Sequence, residues 1–213
     1  MDLPRRALLL SALGLPLAAL PLAALPLAAR AQGGDPAAPI AALNTVLLAN
    51  MRAGRAVPFA SRAAALRPAV ERAFDLPAIL AASVGPRYAA FAEGAKAALL
   101  EAFTAFTVAT WTANFDSLNG ETFQIAPDTR AAGADVVVTS RIVPRSGEPI
   151  RLDFVMRNAA GGWRAVDILL NGTISRVAVQ RSDFRSLVAA GDPAPLIASL
   201  TERAGKLAAG AKS

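Results

Sequence analysis

Two short runs of alternating apolar and polar residues stand past the middle of the chain, on either side of a loop rich in Asn, Ala and Gly. The first run, IRLDFVMR, places Leu152, Phe154 and Met156 on one side and charged residues on the other. In the second run, GWRAVDILL, Val166 and Ile168 share a side. A period of two is typical of a strand with one buried face. The loop at residues 158–162 therefore predicts an antiparallel hairpin.

The residues before this hairpin follow a helical spacing instead. Apolar positions three and four apart predict helices at 40–51, 59–74 and 76–84, and a long helix from residue 94 to about 115. We expect Pro68 to bend or split the second helix, because proline removes a backbone donor inside a helix. Asp75 is expected to cap the third. The spacing becomes helical again at 174–189 and 195–207.

Between these two groups of helices, apolar and alternating runs predict strands at 121–126 and 134–143 in addition to the hairpin. Helices, then about four strands, then helices is the order of an α+β domain whose antiparallel sheet has helices packed on one side. We predict a single domain over residues 40–207, between a flexible segment at 32–39 and a tail at 208–213.

The first residues have the layout of an export signal. A short basic start at residues 1–6 leads into a Leu- and Ala-rich stretch, and Ala29-Arg30-Ala31 fits a small-x-small cleavage site. The alternative is a membrane anchor, but Pro16, Pro21 and Pro26 would interrupt its hydrogen bonds. We therefore predict a signal peptide at residues 1–31 and a mature protein in the periplasm.

Composition excludes several kinds of chemistry. The chain has no Cys and no His, which removes disulfides, common catalytic triads and His or Cys zinc sites. Asp153 and Asp167 are candidates for paired carboxylates, but we favour ion pairs with neighbouring arginines, so no enzyme activity and no cofactor is predicted. Of the net charge of +6, residues 1–31 contribute three arginines minus one aspartate. The remainder is too diffuse to predict nucleic-acid binding and suits transient contact with a membrane surface.

An ordered set of segments spanning about residues 70–200 resembles one family. The segments are FDLPAI with VGPRY, AALLEAFTAF, NGETFQIAP, IRLDFVMR, GWRAVDILLNGTISRV and QRSDFRSLV. On these residues the chain is similar to the toluene-tolerance family of MlaC-type lipid-binding proteins. The segments WTANFD and TISRVAVQRSDF resemble its hopanoid-associated branch, HpnM.

The resemblance implies a soluble periplasmic carrier whose sheet and helices enclose a hydrophobic pocket for phospholipid or hopanoid tails. It also implies partners, an inner-membrane ABC transporter with an MCE subunit and an outer-membrane lipoprotein complex. Residues carried over as pocket lining are Leu76, Ile79, Leu80, Tyr88, Leu100, Phe103, Thr107, Trp111, Leu152, Phe154, Met156, Val166 and Ile168. Arg87, Arg151 and Arg176 are candidates for the pocket mouth, or ordinary solvated charges.

The residues leave one structural alternative open. The apolar stripe of the long helix could pack into a solid core, which would make the protein a periplasmic adaptor that binds protein partners without a lipid cavity. A carrier instead has to cover its ligand almost completely, because each exposed methylene costs about 0.8 kcal/mol. Since few polar groups converge in the sequence, head-group selectivity is expected to be weak.

Overall fold

The computed structural model describes residues 34–159 and 161–210, so the predicted signal peptide lies outside the described residues. Its helices and strands are α1 (Ala38–Ala53), α2 (Phe59–Ala73), α3 (Leu76–Val84), α4 (Glu93–Asn114), β1 (Thr122–Ala132), β2 (Asp135–Val143), β3 (Ile150–Ala159), β4 (Gly162–Leu170), β5 (Ile174–Ser175), α5 (Arg176–Phe184) and α6 (Ala194–Ala208). Short 3-10 turns lie at Gly54–Ala56 and Pro86–Ala90. The predicted α+β class is confirmed.

The sheet is an antiparallel meander in which each strand pairs with its neighbour in the chain, in the order β1-β2-β3-β4-β5. It has five strands rather than about four, because residues 174–175 pair with β4 instead of starting a helix. Asn171 and Gly172 form the turn between them with φ of 51° and 77°. Two consecutive positive φ values are typical of the Asn-Gly hairpin turn, whose backbone matches the twist of the strands.

Strand β4 departs from the strict alternation of inward and outward side chains. The adjacent β3 residues Val155 and Met156 pair with Asp167 and Ala165, so Val166 is the extra residue of a β-bulge. Ala165 is fully buried in the core, and Val166 is not part of it. The bulge shifts the side-chain alternation by one residue, so Ala165 takes the core position that the regular pattern assigned to Val166.

The edge strand β1 is longer than the predicted 121–126 and is irregular at its centre. Its pairing with β2 breaks between Ile125 and Thr129 and resumes up to Ala132. Pro127 lies in this break, and proline has no N–H to give to a ladder. The strand continues past the proline because the break absorbs the unpaired residues.

Local signals set the helix boundaries. The carboxylate of Asp75 accepts a hydrogen bond from the N–H of Ala78 at 3.0 Å, which confirms the predicted cap of α3. The N–H of Asp75 also donates to the carbonyl of Ala165 at 2.9 Å and ties the α2–α3 junction to β4. Pro68 lies inside α2 without ending it. Helix α1 begins at Ala38, inside the segment predicted to be flexible.

The helices pack against one face of the sheet and share its core. Fully buried side chains come from every layer, with Leu43 of α1, Leu66 of α2, Phe103 of α4, Phe154 of β3 and Leu200 of α6 each at most 1% exposed. Phe103 and Phe184 meet edge to face at 6.4 Å between ring centroids, which joins α4 to α5.

On the opposite face of the sheet, Asp153 is fully buried beneath other polar side chains. It accepts hydrogen bonds from both Arg151 nitrogens, at 2.8 and 2.7 Å, and from the hydroxyl of Thr139 at 2.8 Å. Burial by itself would raise the pKa of Asp153, but the hydrogen bonds from Arg151 and Thr139, together with the positive charges of Arg151 and Arg130, hold it below the ordinary value. The predicted pairing with a neighbouring arginine is confirmed for Asp153. It is wrong for Asp167, which among the described residues accepts hydrogen bonds from Ile168, Ser175 and Val177 and forms no ion pair with an arginine.

This carboxylate is expected to make stability depend on acid. Because the folded state lowers the pKa of Asp153, its contribution is complete above the ordinary carboxyl pKa of about 3.9 and is lost as pH falls through the folded value. Asp153→Asn should therefore reduce the free energy of unfolding by about 1–3 kcal/mol at pH 7. Urea denaturation should show that this difference narrows between about pH 5 and pH 2. Asp183→Asn, at an exposed position of α5, should show the same dependence of unfolding free energy on pH as the wild type. If the difference in free energy between Asp153→Asn and the wild type stayed constant with pH, a stabilising charge on Asp153 would be contradicted.

Candidate ligand-binding cavity

A cavity of about 680 Å³ lies between the C-terminal half of α4, helices α3 and α5, and the ends of strands β2, β3 and β4. Its volume falls within the range of small-molecule sites. Its apolar lining residues are Met51, Phe74, Leu76, Ile79, Phe103, Phe106, Trp111, Phe115, Ile142, Pro144, Ile150, Leu152, Ile168, Leu170 and Val177. Its polar ones are Thr107, Thr110, Asn114, Asp116, Ser117, Glu121, Asp167, Arg176 and Gln180.

Helix α4 supplies one wall because its lining residues recur every three or four positions and so share one face. The ring of Trp111 stacks on Phe115 at 5.4 Å and lies 5.6 Å from Phe74. The hydroxyls of Thr107 and Thr110 donate to carbonyls four residues earlier, each at 2.8 Å. These two polar side chains are satisfied within the helix, so they leave the wall largely apolar.

The strands supply the opposite wall through cross-strand pairs. Ile142 of β2 lies directly opposite Ile150 of β3, and Leu152 lies opposite Leu170 of β4. Directly opposed residues project from the same face of a sheet, so these four side chains form one apolar surface. Ile150 is 47% exposed and marks the place where this surface reaches the solvent.

The structure places seven of the thirteen predicted pocket residues in the cavity wall. They are Leu76, Ile79, Phe103, Thr107, Trp111, Leu152 and Ile168. Their contact with a bound molecule stays a prediction. The cavity also uses residues that were not predicted. Phe106 and Phe115 belong to the same apolar stripe of α4 and could have been included. Glu121 and Gln180 carry no signal in the sequence.

The other six predicted residues do not line the cavity. Leu80, Phe154 and Met156 fill the solid part of the core, where each is at most 1% exposed. Leu100 packs against that core from its edge. The ring of Tyr88, within the 3-10 turn Pro86–Ala90, packs edge to face on the ring of Phe91, which follows that turn. Val166 sits at the bulge described above. In each case the family resemblance implied lining, but an inward-facing position does not distinguish a filled core from a hollow one.

Four charged side chains line the cavity, and its three carboxylates are already engaged. Asp116 accepts a hydrogen bond from Arg55 at 2.7 Å. Asp167 accepts from the backbone N–H groups of Ile168 and Val177 and from the hydroxyl of Ser175. These donors occupy both carboxylate oxygens of Asp167. Glu121 accepts a hydrogen bond from the backbone N–H of Asn119 at 2.6 Å, and the fourth charged residue is Arg176.

Of the three arginines considered for the mouth, Arg176 lines the cavity. Arg151 is directed to Asp153, and Arg87 is exposed on a 3-10 turn. In residues 34–159 and 161–210, no group of three Asp or Glu side chains could hold a metal ion. Within the same residues, no helix is both long and apolar enough to cross a bilayer.

The described residues thus form a helix-covered antiparallel sheet with a mostly apolar cavity at one end. The family model described as MlaC protein matches residues 42–202, and the chain belongs to this family. No curated protein matches the chain significantly. The narrower assignment to the HpnM branch stays a prediction.

A solved structure shares the fold. It is a phospholipid-binding protein from Ralstonia solanacearum in complex with a phospholipid, similar with a TM-score of 0.70 and 20% sequence identity. The alignment covers 82% of this chain and 99% of that chain.

Proposed function

We propose that this protein is a lipid carrier that holds lipid tails in the cavity between α4 and the strand ends. The observation that carries the proposal is the cavity itself, about 680 Å³ with mainly apolar walls. Membership of the MlaC family and the phospholipid named for the structural neighbour support the same ligand class. An acyl chain requires apolar cover without fixed geometry, and stacked aromatic and aliphatic walls provide it.

The energy of tail burial sets how complete this cover has to be. Each buried methylene contributes about 0.8 kcal/mol, so a tail of about fifteen carbons contributes on the order of 12 kcal/mol. A few polar contacts at the mouth contribute much less. The apolar walls therefore determine affinity, and polar groups can only adjust which head group is preferred.

The proposal extends to the transport role. A carrier of this kind would work in the periplasm and pass phospholipid or hopanoid-type lipids between the outer and inner membranes. Its partners would be an inner-membrane MCE/ABC transporter and an outer-membrane lipoprotein complex, with transient contact to a membrane surface. The leader-like residues 1–31 and the family membership support this role.

The alternative is an adaptor with a filled core that binds only protein partners. The cavity argues against it, because a hollow of this size forfeits packing contacts that a purely structural core would keep. The walls around Trp111 and Leu152 therefore have a cost in stability that a ligand would offset.

Mass spectrometry of extracted lipid tests the proposal. The protein, expressed from the full sequence and purified without detergent, should release about one lipid per chain into organic solvent. After delipidation it should recover lipid from vesicles in a transfer assay. Absence of lipid in the extract, together with no uptake from vesicles, would contradict the carrier function and leave the adaptor.

A further inference from the structure

We propose that the face of the sheet opposite the helices docks on a membrane surface of net negative charge. The inference rests on the proposed function, which includes transient membrane contact, and it names the docking surface and the charge of the lipids. It starts from arginines that four strands bring to one face, here called the arginine face: Arg130, Arg141, Arg151, Arg157 and Arg164.

The strand register places these side chains on one face. Arg141 of β2 lies directly opposite Arg151 of β3, and Arg157 of β3 lies directly opposite Arg164 of β4. Directly opposed residues project from the same face, and these positions alternate along β3 with Phe154 and Met156, which are buried in the core. Arg130 of β1 belongs to the same face, because its guanidinium lies 3.7 Å from Asp153.

The arginine face carries more positive than negative charge. The aspartates that share it by strand alternation are Asp135, Asp153 and Asp167. Arg157 binds Asp135 with two nitrogens, and Arg151 binds Asp153 in the same way. Five arginines therefore stand against three aspartates on this face.

Two of the five arginines have no acidic partner. In residues 34–159 and 161–210, no carboxylate oxygen lies within 4.0 Å of the guanidinium of Arg141 or of Arg164. Each of them also lies directly opposite another arginine, and like charges in that position lower stability. An arrangement that costs stability without a gain in packing is expected at functional surfaces.

The size and chemistry of the arginine face favour a bilayer as its partner. Arg151 and Arg157 are six residues apart on β3, which is about 20 Å along an extended strand and far exceeds one phosphate group. Guanidinium groups present paired N–H donors to phosphate oxygens. A protein partner would need apolar anchors, but the large apolar side chains exposed in the described residues, Val57, Ile150 and Ile174, lie elsewhere.

The arginine face ends next to the cavity. Ile150 lines the cavity and is 47% exposed, and the next residue in the chain is Arg151. The side chain of Arg151 is itself 44% exposed. A bilayer held by the arginines would therefore lie beside the exposed rim of the apolar wall, where a lipid tail can exchange.

Co-sedimentation with vesicles tests the docking. Protein expressed from the full sequence is mixed with vesicles of phosphatidylglycerol and phosphatidylcholine in equal parts, or with vesicles of phosphatidylcholine alone. We expect at least about 10-fold stronger binding to the anionic vesicles. This binding should be lost when salt rises from about 0.1 M to about 1 M, because the Debye length falls from about 10 Å to about 3 Å.

A pair of double variants with equal net charge locates the contact. Arg141→Gln with Arg164→Gln should weaken binding to anionic vesicles about 25-fold, about fivefold for each arginine near the surface. Its thermal midpoint should be unchanged or higher, because the opposition of like charges is removed. Arg72→Gln with Arg203→Gln removes two exposed arginines from α2 and α6, in the helix layer, and should leave binding within about twofold of the wild type.

The possible outcomes separate docking from lipid carriage. Equal binding to both kinds of vesicle, or equal loss of binding in the two double variants, would overturn the assignment of the arginine face. Binding to neither kind of vesicle would overturn membrane docking altogether, and an acidic protein surface would then be the partner to test. Lipid in the organic extract of the same preparation decides the carrier function separately, whichever of these results is obtained.

Discussion

Replacing Thr107 by tryptophan is expected to reduce lipid affinity by about 100-fold while the protein stays folded. Thr107 lines the cavity from the middle of α4, and its hydroxyl bonds only to its own helix. The indole would occupy space for about four methylenes, which corresponds to about 3 kcal/mol of lost tail burial. Equilibrium transfer from vesicles measures the affinity.

The control lies on the same helix. Ala97 is exposed on α4 and does not line the cavity, so Ala97→Trp adds the same side chain without blocking the site. It should bind lipid as the wild type does. Equal binding by Thr107→Trp and the wild type, at unchanged thermal stability, would show that lipid tails do not occupy this cavity.

Truncating Phe154 to alanine is expected to lower the free energy of unfolding by about 3–5 kcal/mol, because it opens a hole in the solid core. Phe154 is 1% exposed, and its ring lies 6.2 Å from that of Phe74. It does not line the cavity, so the molecules that remain folded should still capture lipid. Urea denaturation and vesicle uptake, measured on the same preparation, separate the two effects.

Ile150→Ala is the control for Phe154→Ala. The side chain is 47% exposed at the cavity rim, so its truncation should cost less than about 1 kcal/mol. A similarly small cost for Phe154→Ala would mean that the core around it is not closely packed. The distinction between a solid and a hollow part of the interior would then be lost.

The sequence predicts regular elements well where local chemistry marks their ends. Asp75 and the pair Gly85-Pro86 bracket α3, and its observed bounds are Leu76–Val84 as predicted. The Asn-Gly pair after β4 likewise forms the turn that this dipeptide favours. These positions succeed because caps and left-handed turns depend on a few adjacent residues.

Features that depend on tertiary pairing were missed. The bulge at Val166 has no local signal, since valine is a favourable residue in any regular strand. β5 is two residues long and exists only because β4 offers it a partner. Both errors come from pairing between strands, which periodicity within one strand cannot report.

Only part of the candidate site was predicted from the sequence, for a related reason. An apolar stripe shows which face of α4 turns inward, but it does not show where packing stops. Phe154 and Leu152 are alternate residues of the same strand on the same face, yet Phe154 fills the core and Leu152 lines the cavity. Charged lining residues such as Glu121 reach the cavity from a loop, where no period exists to predict them.

The interruption in β1 has a consequence for how the molecule behaves in a crowded compartment. An exposed strand edge can recruit the edge of another copy through a continuous row of backbone groups. Here the row is broken between Ile125 and Thr129, Pro127 offers no donor, and Asp128 adds a charge at the same place. The open margin of the sheet is thus a poor template for intermolecular strand addition, which protects the chain against self-association into aggregates.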